Sequence, residues 1–154
     1  GVSREIRLED NAWATLDRGR GRWKFDTAWN WAAGSGINPD GLRLGLQAGA
    51  RWTDGTGSTE NALVVDGILD GPRPDAAWTY DLKNPEGPWR LRGSWIDAAL
   101  TPWHVRHAST SAGIVSGTTV QAFGDWSGSA TLSNGRRVSL DGLTGWAEDA
   151  HNRW

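Results

Sequence analysis

The sequence predicts an all-β domain over 1–154, an antiparallel up-and-down barrel of about 8–10 strands. Three observations predict it. Apolar and polar residues alternate with period two along most of the chain, the signature of half-buried strands. Gly, Pro, Asn and Asp collect between the alternating runs, where turns need them. No long stretch carries a helical period; the best helical candidate is one short turn at Ala147 to Arg153.

The runs can be taken in order. Trp23, Phe25, Thr27, Trp29 and Trp31 alternate with Lys24, Asp26, Ala28 and Asn30, which puts three tryptophans on one face. Leu42, Leu44, Leu46, Ala48, Ala50 and Trp52 alternate with Arg43, Gly45, Gln47, Gly49 and Arg51 in a long strand after the turn Pro39-Asp40-Gly41. Shorter runs follow at Asn61–Val65, Trp78–Leu82 and Trp89–Leu91, then Trp95–Val105, Ile114–Val120, Trp126–Leu132 and Val138–Leu140. Asp54-Gly55-Thr56-Gly57, Asp70 to Pro74 and Asn84 to Pro88 read as loops. Asn134-Gly135 is a hairpin turn. Successive hairpins favour a meander, and a meander of this many strands must curl or close to protect its edges.

Composition excludes several classes. Sixteen basic residues against 18 acidic ones give no electrostatic reason to bind nucleic acid. There is no Cys, hence no disulfide or thiolate chemistry, and the redox compartment stays unread, with the cytoplasm favoured. No apolar run reaches the ~18 residues of a membrane helix, so no membrane span is expected. The three histidines support no metal site, because His104 and His107, three apart, fall on opposite faces of a strand. No cofactor is expected either, since Asp54-Gly55-Thr56-Gly57 has no following Lys or helix to make a phosphate loop. The chain is unusual in its 12 Trp, against one Tyr and two Phe. Trp supplies flat apolar area with an N–H that wants a partner when buried.

Several stretches act together as a family signature. They are Gly19-Arg20-Gly21-Arg22-Trp23, Trp29-Asn30-Trp31, the run from Arg51 through Asp54-Gly55-Thr56-Gly57 to Asn61, and the close from Asp141 through Gly145-Trp146-Ala147-Glu148 to Trp154. In this order they resemble the C-terminal half of the bacterial family called domain of unknown function 2804. That family is similar to a wider group of two-barrel lipocalin-like proteins that includes carotenoid 1,2-hydratase and lipocalin-like Diels–Alder cyclases. The resemblance implies a lipocalin-like barrel that binds an apolar, isoprenoid, polyene or lipid-like molecule. Because such proteins pair two barrels, it also implies a partner: a second copy in a homodimer, or an N-terminal barrel.

The expected ligand site is a tryptophan-lined interior cavity. Its wall is drawn from Trp23, Trp29, Trp31, Leu44, Leu46 and Trp52, with Asn30, Asn61, His104 and Trp146 as further ligand contacts. A carboxylate facing such a pocket would have a raised pKa and could act as a general acid, and Glu60 and Asp54 are the candidates. Glu148 is read instead as half of an Arg–carboxylate pair with Arg153 that fixes the tail. Binding of an apolar small molecule is the first expectation. A hydratase or cyclase using the carboxylate is the alternative, and a carbohydrate-binding β-domain with exposed Trp platforms is the third.

Overall fold

A computed structural model of the protein describes residues 3–7 and 12–154, and it is all β. The strands are β1 (Asp26–Ile37), β2 (Arg43–Ala50), β3 (Ala62–Val65), β4 (Ile68–Asp70), β5 (Ala77–Thr79), β6 (Trp89–Arg92), β7 (Ile96–Ala112), β8 (Val115–Thr131), β9 (Arg137–Ser139) and β10 (Leu143–Arg153). All pair antiparallel in one sheet of order β4-β3-β2-β1-β10-β8-β7-β6-β5, with β9 on the far end of β8. The first strand pairs with the last, as ring closure requires. The sheet curls into a half-barrel whose ring stays open between β4 and β5. Among the described residues no helix is long and apolar enough to cross a membrane.

Side chains bridge the open seam where the ladder does not. The Arg73 Nη2 donates to the Thr131 carbonyl at 2.7 Å, and the Ser133 N–H donates to Asp70 at 3.1 Å. The Pro74 carbonyl accepts from the Trp95 indole at 2.7 Å and from the Asn61 amide at 3.1 Å. The Arg73 guanidinium also lies 5.8 Å from the centre of the Trp95 ring. These contacts tie the β3–β4 end to β8 and to the loop before β7, and they satisfy polar groups that the missing ladder would have held.

Pairing partners in an antiparallel ladder share a face, so the registers assign every side chain to one side of the sheet. Leu44 and Leu46 stand opposite Gly36 and Gly34 of β1, which in turn stand opposite Leu143 and Gly145 of β10. Leu143 stands opposite Trp126, and Trp126 opposite Leu100. This is the inner face, and it is filled solidly by Leu44, Leu46, Leu63, Trp89, Leu91, Trp95, Leu100, Trp126, Leu140 and Leu143. Three of the 12 tryptophans therefore form core rather than the wall of an interior cavity.

The inner residues of β1 are small because large neighbours lie across them. A Cβ on Gly34 would sit 2.6 Å from Cδ1 of Trp126. With no side chain there, the Trp126 indole lies against β1 and donates its N–H to the Ala33 carbonyl at 3.1 Å.

Three elements depart from the sequence reading. The tail is a strand, not a helical turn: Leu143–Arg153 alternates between the two faces and pairs on both sides. Ile114–Val120 and Trp126–Leu132 belong largely to one 17-residue strand, Val115–Thr131, since Gly117 and Gly124 both lie inside its unbroken ladder with β10. Ile68–Asp70 is a short strand just before the Gly71–Pro74 loop. The Asn134-Gly135 turn stands where expected, with the Gly135 N–H bonded to the Leu132 carbonyl.

Gly34→Ala should destabilise the fold by about 1–3 kcal/mol through overpacking against Trp126. Chemical denaturation measures this, and a change within about 0.5 kcal/mol would show that the indole does not rest on β1.

Candidate functional site

The outer face of the sheet carries connected rows of polar and aromatic side chains. One lateral row crosses five strands: Gly49 of β2, Trp31 of β1, Glu148 of β10, Gln121 of β8 and Arg106 of β7, each opposite the next. The adjacent row runs Gln47, Ala33, Trp146, Phe123 and His104. Aromatic rings make the second row continuous with the first. Trp31 meets Trp146 edge to face at 5.0 Å, and Trp146 lies 6.4 Å from Phe123.

Against the first row lies an open pocket of about 500 Å³. Its floor is Trp29, Trp31, Gln47 and Glu148 from the sheet. Its rim comes from elsewhere: Asp17, Arg18, Arg20 and Trp23 from the extended segment before β1, Trp52 and Glu60 from the β2–β3 connection, and Trp154 from the C-terminus. Trp23 and Trp52 meet at right angles, 5.8 Å apart. The Trp154 N–H donates to the Phe25 carbonyl at 3.0 Å, which fastens the C-terminal side of the rim.

The floor indoles spend their N–H groups on one another's neighbours. Trp29 donates to Oε1 of Glu148 at 2.9 Å, Trp31 to Gln47 at 3.0 Å and Trp52 to Oε2 of Glu60 at 3.0 Å. Gly49 makes room for the last of these. A Cβ there would fall 2.3 Å from Oε2 of Glu60, so that carboxylate lies across the β2 backbone beside Trp31.

Glu148 is buried, with 7% of its surface exposed. Burial pushes its carboxyl above the usual range, against the lowering effect of the Trp29 hydrogen bond and of Arg106. Asp149 and Asp17 add to the rise. Gln121 donates to its second oxygen at 2.9 Å. Both carboxyl oxygens therefore accept from neutral donors beside the indoles, while burial raises the affinity of the group for a proton.

The sequence-predicted residues separate into two groups. Trp23, Trp29, Trp31, Trp52 and Glu60 converge on the pocket. Leu44 and Leu46 do not: they are 2% and 3% exposed and face the core. The register pairs Trp31 with Gly49 and Ala33 with Gln47, so the tryptophan face of β1 continues into the Gly and Gln face of β2 rather than its Leu face. Asn30 is buried on the inner face, where its amide donates to Tyr80 and to the Glu148 carbonyl. Asn61 is buried between the Gly49 N–H and the Pro74 carbonyl. His104 is exposed on β7, 6.1 Å from Phe123. Trp146 lies beside the pocket, behind Trp31. Asp54 is exposed and caps its own turn by accepting from the Arg51 N–H at 3.1 Å. Among the described residues no group of three or more His, Asp or Glu is placed to hold a metal ion.

Glu148 and Gln47 line the pocket although the sequence reading placed neither of them at the site. Arg153, the expected partner of Glu148, pairs instead with Asp26 at 3.4 Å. The available signal was parity: Glu148 is two residues after Trp146 and so shares its face in a strand.

The carboxyl of Glu148 titrates higher in the folded chain than in the unfolded one. Its contribution to stability is complete below the unfolded value and is lost as pH rises through the folded value. Glu148→Gln keeps an acceptor for Trp29 and removes that loss. Its melting temperature relative to the parent should therefore rise as pH increases above about 4, by roughly 2–4 °C per kcal/mol recovered. A difference independent of pH would show that Glu148 ionises as freely when folded as when unfolded.

No curated protein and no solved structure matches the sequence. A family model does match, over residues 2–154, and on it the chain belongs to the family described as Domain of unknown function (DUF2804).

Proposed function

We propose that the outer-face pocket binds an apolar small molecule of isoprenoid, polyene or lipid-like class. One observation carries the reading: five tryptophans from four separate stretches of chain converge on a single pocket of about 500 Å³. That volume is within the range of small-molecule sites, and indole faces supply large apolar contact at low entropic cost. The resemblance to the lipocalin-like hydratase and cyclase group supports the same ligand class. The site proposed here differs in lying on the outside of the sheet, because the inside is filled. A partner barrel, whether an N-terminal half or a second copy, belongs to the same proposal.

Glu148 favours a second reading, a hydratase or cyclase type of enzyme. Protonating an alkene needs an acid in a water-poor site beside aromatic faces that tolerate positive charge. Glu148 meets that description, and Glu60 and Asp54, the carboxylates picked from the sequence, are more exposed. The carbohydrate reading is less supported, since the indole N–H groups of Trp29, Trp31 and Trp52 are already engaged and are not open to sugar hydroxyls.

All-trans-retinol, a neutral polyene, should quench tryptophan emission saturably at one site per chain. At about 0.3 kcal/mol per heavy atom its dissociation constant falls in the tens of micromolar or tighter. Trp52→Ala should weaken binding about 10-fold with little change in melting temperature, while Leu44→Ala should cost about 2–5 kcal/mol of stability and leave affinity unchanged. If Leu44→Ala weakens binding and Trp52→Ala does not, the ligand sits inside the barrel and the outer-face reading fails. If a reaction is found, Glu148→Gln should abolish turnover while retaining retinol affinity.

A further inference from the structure

We infer that the pocket selects a ligand bearing a positive charge, an alkylammonium amphiphile whose cationic head lies between the indole floor and Glu60. The inference rests on the outer-face pocket being a small-molecule site and names the chemistry of its occupant.

Two features of the floor point to a cation. First, the indole N–H groups of Trp29, Trp31 and Trp52 are spent on neighbouring side chains. Trp31 and Trp52 have given their N–H groups to Gln47 and Glu60, so what these side chains offer a ligand is π-electron density. Trp52 holds only Oε2 of Glu60, and Oε1 has no hydrogen-bond partner among the described residues. An indole face attracts an ammonium, and walls meeting at right angles, as Trp23 and Trp52 do, surround one from two sides. Second, Glu60 is the half-buried carboxylate of the lining and is anchored against the Trp52 ring. The exposed charges of the lining, Asp17, Arg18 and Arg20, share the segment before β1, where salt and water screen all three alike.

Three probes with one eight-carbon tail separate charge from apolarity: octyltrimethylammonium, 1-octanol and octanoate, each kept below its aggregation concentration. They are titrated into the protein near neutral pH and followed by tryptophan emission. Octyltrimethylammonium should bind about 10-fold more tightly than the other two. In Glu60→Gln that advantage should fall to about 3-fold or less while 1-octanol affinity stays as it was. Trp52→Phe, which keeps an aromatic ring but releases Glu60, serves as the second variant and should also shrink the preference. Equal binding of the three probes overturns the inference and leaves apolar binding standing. Tightest binding of octanoate also overturns it, by showing that Arg18 and Arg20 dominate. A preference for the ammonium that persists in both variants overturns the placement of the cation beside Glu60. If none of the probes nor retinol binds, the outer-face site itself is wrong and the inference falls with it.

Discussion

The register of β1 between β2 and β10 governs the rest of the molecule. Trp31 stands opposite Gly49 on one side and Glu148 on the other, and Gly34 stands opposite Leu46 and Gly145. A slip of one residue would move every side chain of β1 to the other face. Trp29 and Trp31 would then enter a core with no room for them, and Ala32 and Gly34 would face outward. The register is protected from both directions. Inside, Trp126 fills the space above Gly34 and bonds the β1 backbone. Outside, Trp29 and Trp31 bond Glu148 and Gln47 on the neighbouring strands. The same pairings that hold the sheet together therefore build the pocket floor.

Strand β10 shows how differently the two faces treat one kind of group. Glu148 and Asp149 are consecutive carboxylates that point to opposite sides. Outside, Glu148 has amide and indole donors and no ion pair among the described residues, and burial raises its pKa. Inside, Asp149 pairs with Arg51 at 2.6 Å and accepts from the Tyr80 hydroxyl, while Asn30 bonds both Tyr80 and Asp149. Burial, followed by the hydrogen bond to Asp149, raises the Tyr80 pKa, and the Tyr80 ring stacks on Trp89 at 4.3 Å. The inner cluster is closed: its charges are paired and its ring lies on the core. Among the described residues the outer carboxyl is held by neutral donors alone, so the two faces of one strand treat neighbouring carboxyl groups differently.

Much of this was legible in the sequence. The alternation of Leu44, Leu46 and Ala48 does mark a buried face, and that of Trp29 and Trp31 does mark another shared face. What alternation could not supply was the relation between the two faces, because the phase of one strand says nothing of its register with the next. Joining the Leu face to the Trp face placed the site inside a barrel that is in fact full. Glu60 and Trp52 do line one pocket with Trp23, Trp29 and Trp31, since the loop that carries them closes over the same strand pair. Glu148 is assigned to Arg153 in the sequence because Arg–carboxylate pairs are common. As a strand, the tail points Glu148 at Trp29, and the Arg153 side chain reaches Asp26 and the Phe25 ring instead. His104 looked like a wall residue for want of any sign that β7 runs on past β6 into solvent.

The pocket divides into a part that is fixed and a part that is lightly held, and the division follows from where each residue sits in the chain. Trp29, Trp31, Gln47 and Glu148 stand on central strands with ladders on both sides, and their mutual hydrogen bonds hold the rings before any ligand arrives. Trp23, Trp52 and Trp154 stand on an extended segment, a loop and a terminus, and each is about half exposed or close to it. Among the described residues, Trp23 meets the Trp52 ring and lies beside Gly19 and Gly21, Trp52 donates to Glu60, and Trp154 bonds the Phe25 backbone. Preorganised floors set selectivity, because a ligand gains the interaction without ordering the wall. Lightly held rims set access, because segments with few buried contacts open at low free energy. Gly49 joins the two parts of the pocket, since its missing side chain lets the loop carboxylate of Glu60 reach the floor.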